Sequence, residues 1–464
     1  MKSLVSVMAA ALLALGLAGV GGSAHAAGEP APFEARPSDG VFLQLTDIHF
    51  TPFSDAKTLA QLVASPIEDW PTILSAAPAV IAGAPDTDYP LLIGALNNAR
   101  LRAHYDFVIN TGDYLGHNFK KTYDALGGDD GPDNTTYDQF VSKTLSFVYQ
   151  TLARSFPDTS VITTLGNNDD ACGDYRGDHP DPTTRAFGAL LAPLGLSAPA
   201  LRDAVRLGSY VAPMPHAAGR DIIALDDVSW SSGFKTCGGG DGAAEAQDTL
   251  QWLAQTLAAE RAAGRTALLI MHIPPGIDAF GSAQAACPNP GQPFWSRPAL
   301  DGFVALASKY RDVVKVAITG HTHMDEFRVV TDQGEPVTAV RISPAVTPLF
   351  GNNPSYTVFQ YDRRGGAIKN YATYSVSSRA QAGDAAAWTR LYAFDSTYGY
   401  RDFTPRTVFE LVNKTLTEDG QARKSYGDNF AAGGASAITS NTWTTFSCAQ
   451  LVLADPQYTA CRCP

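Results

Sequence analysis

Seven side chains with metal-ligand chemistry follow apolar runs: Asp47 and His49, Asp113, Asn167, His272, and His321 with His323. The last pair lies in Thr319-Gly320-His321-Thr322-His323, directly after Val313-Val314-Lys315-Val316-Ala317-Ile318. Histidines one residue apart at a strand end are expected to point to one side, because side chains alternate with period 2. Two imidazoles aimed at one spot suit a borderline cation such as zinc. Taken singly, the H-x-H is a polar turn, Asp47 a strand-end cap, Asp113 a turn aspartate, Asn167-Asn168 a turn and His272 a core histidine. Five such coincidences explain the chain less well than one shared site. Seven N and O donors exceed one tetrahedral ion and suit two ions sharing a carboxylate, the arrangement that clamps phosphate oxygens during hydrolysis.

Strands must deliver these groups. The runs 41–46, 106–111, 161–165, 266–271 and 313–318 are apolar and β-branched, and each ends at one of the donor blocks. Helical spacing marks 91–104, 137–152, 183–206, 243–263 and 297–310, and further strands are expected near 208–213 and 221–226. If the five site strands are sheet neighbours, their side chains converge on one edge, where open α/β sheets bind ligands. Alternating runs near 324–331, 337–343, 355–361 and 367–375 read as a second set of strands. The fold class is α/β to α+β, with two packed sheets flanked by helices. From about Ala382 the spacing of Trp388, Leu391 and Tyr392, then Val408, Leu411, Val412 and Leu416, predicts a C-terminal helical subdomain over 381–464 after a catalytic domain over 27–380. The Pro/Ala-rich connection 52–90 is long enough to be a lid, and 120–134 reads as a surface loop.

Residues 1–26 read as a secretory signal peptide: Lys2, an apolar run from Leu4 to Val20, and Ala24-His25-Ala26 as the cleavage signal. Export to the periplasm or beyond is expected. No later run is long enough to span a bilayer. Loss of Lys2 takes the formal net charge from −12 to −13, which disfavours nucleic acid and anionic lipid surfaces as partners. The six cysteines of an exported chain read as disulfides, with Cys448 bridging Cys461 or Cys463 and two of the other three paired. His104, His179 and His216 stand outside any motif, and Asp226-Asp227 reads as a solvated or capping pair.

The blocks D-x-H, G-D, G-N-x-D, a lone histidine after a strand, and G-H-x-H, in that order over residues 45–323, resemble those of the calcineurin-like metallophosphoesterases. Within that superfamily the chain looks most like the acid sphingomyelinase-like phosphodiesterases, which share His117 four residues after the aspartate and the C-terminal helical extension. The resemblance implies that Asp47, His49 and His323 bind one metal and Asn167, His272 and His321 the other. Asp113 would bridge the two ions. They would be zinc, with manganese or iron as alternatives. It further implies that a metal-bridging hydroxide attacks phosphorus while His117 contacts the phosphoryl group or protonates the leaving alkoxide.

Two departures narrow this reading. Purple acid phosphatases, close relatives of the set, carry a tyrosine ligand where this chain has Gly116. The usual G-N-H-[DE] histidine is here Asn168, a second candidate catalytic residue that can donate a hydrogen bond but not a proton. Residues 27–40 leave no room for a lipid-presenting saposin domain. The expectation is therefore an exported dimetal phosphodiesterase, monomeric and without stable membrane insertion. It would act on small phosphate esters or lipid head groups, such as sphingomyelin, nucleotides, phosphocholine esters or polyphosphate. A phosphomonoesterase, a polyphosphatase or a non-catalytic metal-binding protein on the same scaffold are the alternatives.

Overall fold

Phe42 stacks face to face on Phe107 at 4.6 Å and on Phe359 at 4.7 Å, forming a three-ring ladder across neighbouring strands. In the computed structural model, which describes residues 32–34, 36–78 and 86–463, that ladder lies between two six-stranded sheets. The expected signal peptide lies outside the described residues.

The strands in chain order are β1 (Asp39–Leu45), β2 (Phe107–Asn110), β3 (Ser160–Thr163), β4 (Tyr210–Pro213), β5 (Arg220–Ala224) and β6 (Thr266–Ile270). A small hairpin, β7 (Ile277–Asp278) and β8 (Gln292–Pro293), precedes β9 (Val314–Thr319), β10 (Glu326–Asp332) and β11 (Glu335–Ile342). The last three are β12 (Ser355–Asp362), β13 (Ile368–Ser375) and β14 (Thr389–Ala393). One sheet has the order β14-β13-β12-β1-β2-β3, with β1, β2 and β3 parallel. The other has the order β10-β11-β9-β6-β5-β4, with β11, β9, β6 and β5 parallel.

Alternation divides the chain's apolar residues among the layers. Phe42, Phe107, Ile109, Ile162 and Phe359 face inward and meet Ile222, Ile270, Ile318 and Val329 of the second sheet. Their neighbours Leu43, Leu45, Val108 and Val161 face outward and pack under the helices Tyr89–Arg100 and Thr135–Ser155. The helices Ala243–Ala262 and Arg297–Lys309 cover the second sheet in the same way. Parallel strands covered on both faces read as continuous apolar runs, which is why β1, β2 and β9 were recognisable. Fully burying each Phe, Ile or Leu contributes about 1.5–3 kcal/mol.

Several expectations need correction. The late strands are not a set of their own: β10 and β11 extend the second sheet, whereas β12, β13 and β14 extend the first through β1. Thr389–Ala393, expected to be helical, is strand β14, and Trp388 is buried beside Tyr356. Antiparallel pairing with β13 overrides the helical spacing of Trp388, Leu391 and Tyr392. The 120–134 loop begins as the helix Phe119–Ala125, because Phe119 and Tyr123, four apart, both reach the core. The 183–206 helix is two helices, Pro182–Leu190 and Ala198–Leu207, separated by a turn in which Gly195 takes φ +62°. The described part of the 52–90 connection is core rather than lid: Leu59, Leu62 and Trp70 are buried, and Trp70 packs on Phe140 and Phe147.

All six cysteines are paired, as Cys172–Cys237, Cys287–Cys463 and Cys448–Cys461. Cys287 therefore ties the tail to the body, a pairing that spacing alone left open. Among the described residues no helix is long and apolar enough to cross a membrane.

Candidate dimetal centre

The seven donors converge, but across two sheets rather than along one edge. Asp47, His49, Asp113 and Asn167 follow β1, β2 and β3 of the first sheet, while His272, His321 and His323 follow β6 and β9 of the second. Buried polar contacts tie the two layers just beneath the site: Gln44 Nε2 donates to Thr111 Oγ1 and to the Thr319 carbonyl, and Ser343 donates to Gln44 Oε1.

Asp113 Oδ2 is the centre. His49 Nε2 lies 3.2 Å from it and His272 Nε2 lies 3.3 Å from it. Beyond His49, His323 Nε2 is at 3.1 Å, and Asp47 Oδ1 is 3.5 Å from His323 Nε2. Beyond His272, Asn167 Oδ1 is at 2.9 Å and His321 Nδ1 at 3.3 Å, and Asn167 Oδ1 is also 2.9 Å from His321 Nδ1. Donors on a tetrahedral ion with bonds of 2.0–2.1 Å stand about 3.3 Å apart. Two clusters with that spacing therefore flank one carboxylate.

The strand-end geometry differs from simple alternation. Asp47, His49, Asp113, His321 and His323 all have left-handed backbone, with φ of 48°, 45°, 56°, 73° and 64°. Asp and His tolerate this conformation better than branched residues, yet it costs about 1–3 kcal/mol per residue. These turns send His321 and His323 to different clusters, so the pair does not share one spot. Glycine is needed where the loops touch. A Cβ on Gly166 would collide with Asp113, and one on Gly320 would collide with Thr46 and Asp47. Gly320→Ala is expected to cost roughly 1–3 kcal/mol, as for other overpacked sites, and to weaken metal retention. A melting curve and metal content equal to wild type would sink that steric reading.

Neighbouring groups set the orientation of the candidate donor atoms. His49 Nδ1–H donates to the Leu115 carbonyl at 2.9 Å and His272 Nδ1–H to the Thr111 carbonyl at 2.8 Å, leaving Nε2 of each facing Asp113. Asn167 Nδ2 donates to Asp174, which turns Oδ1 toward the histidines. Tyr175 Oη pairs with His321 Nε2 at 3.2 Å, leaving Nδ1 inward. His323 Nδ1 is buried without a partner. Asp169, the last residue of G-N-N-D, accepts N–H groups of Asp113, Tyr114, Leu115 and Gly166, so it clamps two ligand loops together. Burial and the Asp113 charge push its carboxyl up to about 7, against the pull of those N–H groups. Asp227 is buried, not solvated, and accepts the N–H groups of His272 and Ile273. Nothing in the spacing of Asp226-Asp227 revealed that role.

Residues 40–325 match the family described as calcineurin-like phosphoesterase. The chain belongs to that family. Residues 335–463 of this phosphoesterase match the acid sphingomyelin phosphodiesterase C-terminal region. It is 24% identical to human "Acid sphingomyelinase-like phosphodiesterase 3b", over 92% of this chain and 91% of that one. It is 23% identical to mouse "Cyclic GMP-AMP phosphodiesterase SMPDL3A", over 93% of both chains. "Sphingomyelinase phosphodiesterase D" of Dictyostelium discoideum is 26% identical over 68% of this chain and 66% of its own. The phosphoesterase is thus a metal-dependent phosphoric ester hydrolase of the acid sphingomyelinase-like group, and the family implies two divalent metals. The donor set fits them, since crowded lone pairs at 2.9–3.3 Å around Asp113 call for positive charge between them.

Protons supply that charge when no metal is bound. Burial lowers the His49 and His272 imidazoles, but the Asp113 carboxylate overrides it and raises them to about 9 and about 10. Burial and the His272 charge push His321 down to about 3. At pH 7 the metal-free phosphoesterase therefore carries imidazolium at both positions, and cation uptake must expel about one proton from each Nε2. Affinity should rise with pH up to about 9–10 and level off above it. Calorimetry in two buffers of different ionisation enthalpy checks this; metal uptake with no proton release at pH 7 would contradict it.

His117 stacks on His49 with ring centroids 3.8 Å apart, at the mouth of the centre. Asp86, buried, accepts both its backbone N–H at 2.7 Å and its Nδ1–H at 3.0 Å. That aspartate came from the 52–90 connection, where no motif marked it. Asn168 donates from backbone N and from Nδ2 to the two oxygens of Asp113, at 2.8 and 3.0 Å. A cavity of about 310 Å³ opens from the centre, lined by His117, Asn168, Phe280, Phe294, Phe350 and Phe430 among others. Phe280 and Phe350 are 54% and 55% exposed, the largest exposed aromatic surfaces among the described residues. Phe430, directly after the helix Gly420–Asn429, and Phe446 of the helix Trp443–Ala449 also line it, so the C-terminal segment helps shape the cleft.

Proposed function

We propose that the chain is an exported phosphodiesterase that cleaves small phosphodiesters at this centre, with Asp47, His49 and His323 holding one cation, Asn167, His272 and His321 the other, and Asp113 shared. The observation that carries the reading is the pair of donor clusters on either side of Asp113 Oδ2. Bound there, two divalent ions supply an activated water and neutralise charge on the phosphoryl oxygens. Zinc suits the imidazole-rich donor set best.

The chain's own residues do the rest. Asp86 fixes the His117 ring and occupies Nδ1, so Nε2 is the atom free to deliver a proton to the leaving alkoxide. Asn168 holds the shared carboxylate in register and presents an amide, not an acid, to the cleft. His117 is therefore the single acid. Half-exposed Phe rings beside the phosphate position favour a diester with one apolar or flat arm. Three disulfides suit an oxidising compartment, in keeping with export.

The names of the relatives point to both lipid head groups and a cyclic dinucleotide, so a substrate panel is the direct test. The purified protein, assayed on chromogenic diesters and monoesters with and without chelator, should turn over diesters faster and lose activity with its metal. Faster monoester hydrolysis would favour a phosphomonoesterase, and no turnover on any ester at full metal occupancy would leave a binding protein.

A further inference from the structure

Beside the G-N-N-D turn lies a second cavity, of about 120 Å³, lined by Asp169, Asp170, Arg176, His179, Arg206 and Asp226 among others. One donor atom from each of Asp170, His179 and Asp181 lies within 4.8 Å of the other two. Asp226, only 4% exposed, directs Oδ2 toward His179 Nε2 at 3.9 Å. None of these four residues belongs to the dimetal centre.

Their hydrogen bonding is half complete. Asp170 Oδ1 accepts the Cys172 N–H, Asp181 Oδ1 the Thr184 N–H, and Asp226 Oδ1 the Val228 N–H. The Oδ2 atoms of Asp170 and Asp181 are sealed from solvent and accept no N–H or hydroxyl hydrogen bond, while the two carboxyls lie within hydrogen-bonding reach of each other. Asp226 Oδ2 accepts no hydrogen bond from any described residue and faces the His179 imidazole. Arg206 pairs with Asp203 instead, and no described contact brings Arg176 to these carboxylates. Three buried or half-buried carboxylates against one imidazole leave unbalanced negative charge, which a protein interior does not hold without a counter-ion or a proton. Burial and the neighbouring Asp181 push the Asp170 carboxyl up to about 9, the same imbalance in another form.

We propose that this cavity is a third cation site, taking one divalent ion through Asp170 Oδ2, Asp181 Oδ2, Asp226 Oδ2 and a ring nitrogen of His179. Carboxylates with one imidazole suit Mn²⁺ or Zn²⁺. The ion would be structural. It joins the disulfide-bearing segment after β3 to the end of β5, directly behind the turn that carries Asn167 and Asn168.

Metal counting on the full chain, loaded with excess Mn²⁺, desalted and measured by plasma mass spectrometry, tests this. The wild type should retain three ions, Asp181→Asn two with diester turnover within about twofold of wild type, and Asp113→Asn one. Two ions in the wild type, or an unchanged count in Asp181→Asn, overturn the proposal in favour of a shared proton. If Asp181→Asn does not fold, the Asp113→Asn count decides alone: one residual ion supports the site and none refutes it. The inference stands apart from the dimetal reading, whose failure would instead appear as an Asp113→Asn chain that keeps its full count while Asp181→Asn still loses one ion.

Discussion

Asp113→Asn is expected to empty the dimetal centre and lower diester turnover by about 10³-fold or more, equivalent to about 4 kcal/mol of transition-state stabilisation. The substitution isolates charge. Asn tolerates the left-handed backbone that Asp113 adopts at φ 56°, and its side chain has nearly the same volume. What disappears is the anion between His49 and His272, each about 3.2–3.3 Å from Oδ2. Without it the two imidazoles lose the partner that raises them toward 9 and 10, and two dications lose their shared neutralising ligand. Metal content and rate should fall together while the far-ultraviolet circular dichroism stays that of the wild type. A variant that keeps both ions and still loses its rate would assign Asp113 to the chemistry rather than to metal binding.

His117→Ala is expected to keep the metals and lose about 10²–10⁴-fold in turnover, the usual worth of a positioned general acid. The ring lies on His49, but the candidate donors are anchored by other groups, among them Leu115 O for His49, Thr111 O for His272 and Asp174 for Asn167. The loss should shrink on a diester with a nitrophenolate leaving group, which departs without a proton. Equal losses on alkyl and nitrophenyl diesters would rule out the acid role. Asp86→Asn serves as the companion variant. Asp86 touches no donor of the centre except through His117, and an amide oxygen still accepts the Nδ1–H. Its effect should be nearer tenfold, in kcat rather than KM.

The legibility of this site was uneven for physical reasons. The convergence of the candidate donors was readable because each follows a strand buried on both faces, and such strands are unbroken apolar runs. The groups that orient those donors were not. Asp86 sits in a Pro/Ala-rich connection, Asp174 and Tyr175 in a polar loop, and Asp227 in a pair that spacing could not distinguish from a surface turn. Their roles arise from contacts made 31 residues away for Asp86 and 146 for Tyr175, which leave no local periodicity. Thr389–Ala393 failed in the opposite direction: its helical spacing was genuine, and pairing with β13 overrode it.

From the amino-acid order alone came the donor inventory, the strands that carry it and the phosphoesterase resemblance, because residue type and apolar runs are local properties. The distribution of those donors over two sheets belongs to the tertiary structure, since β1 to β3 and β6 to β9 meet only through inter-sheet packing. The resemblance already parts His321 from His323, but the means belongs to the tertiary structure: left-handed turns held by contacts such as His321 N–H to Asp47. The polar face of the cleft was written in the motifs. Its aromatic wall, assembled from residues as distant as Phe280, Phe350 and Phe446, took shape only when the chain folded.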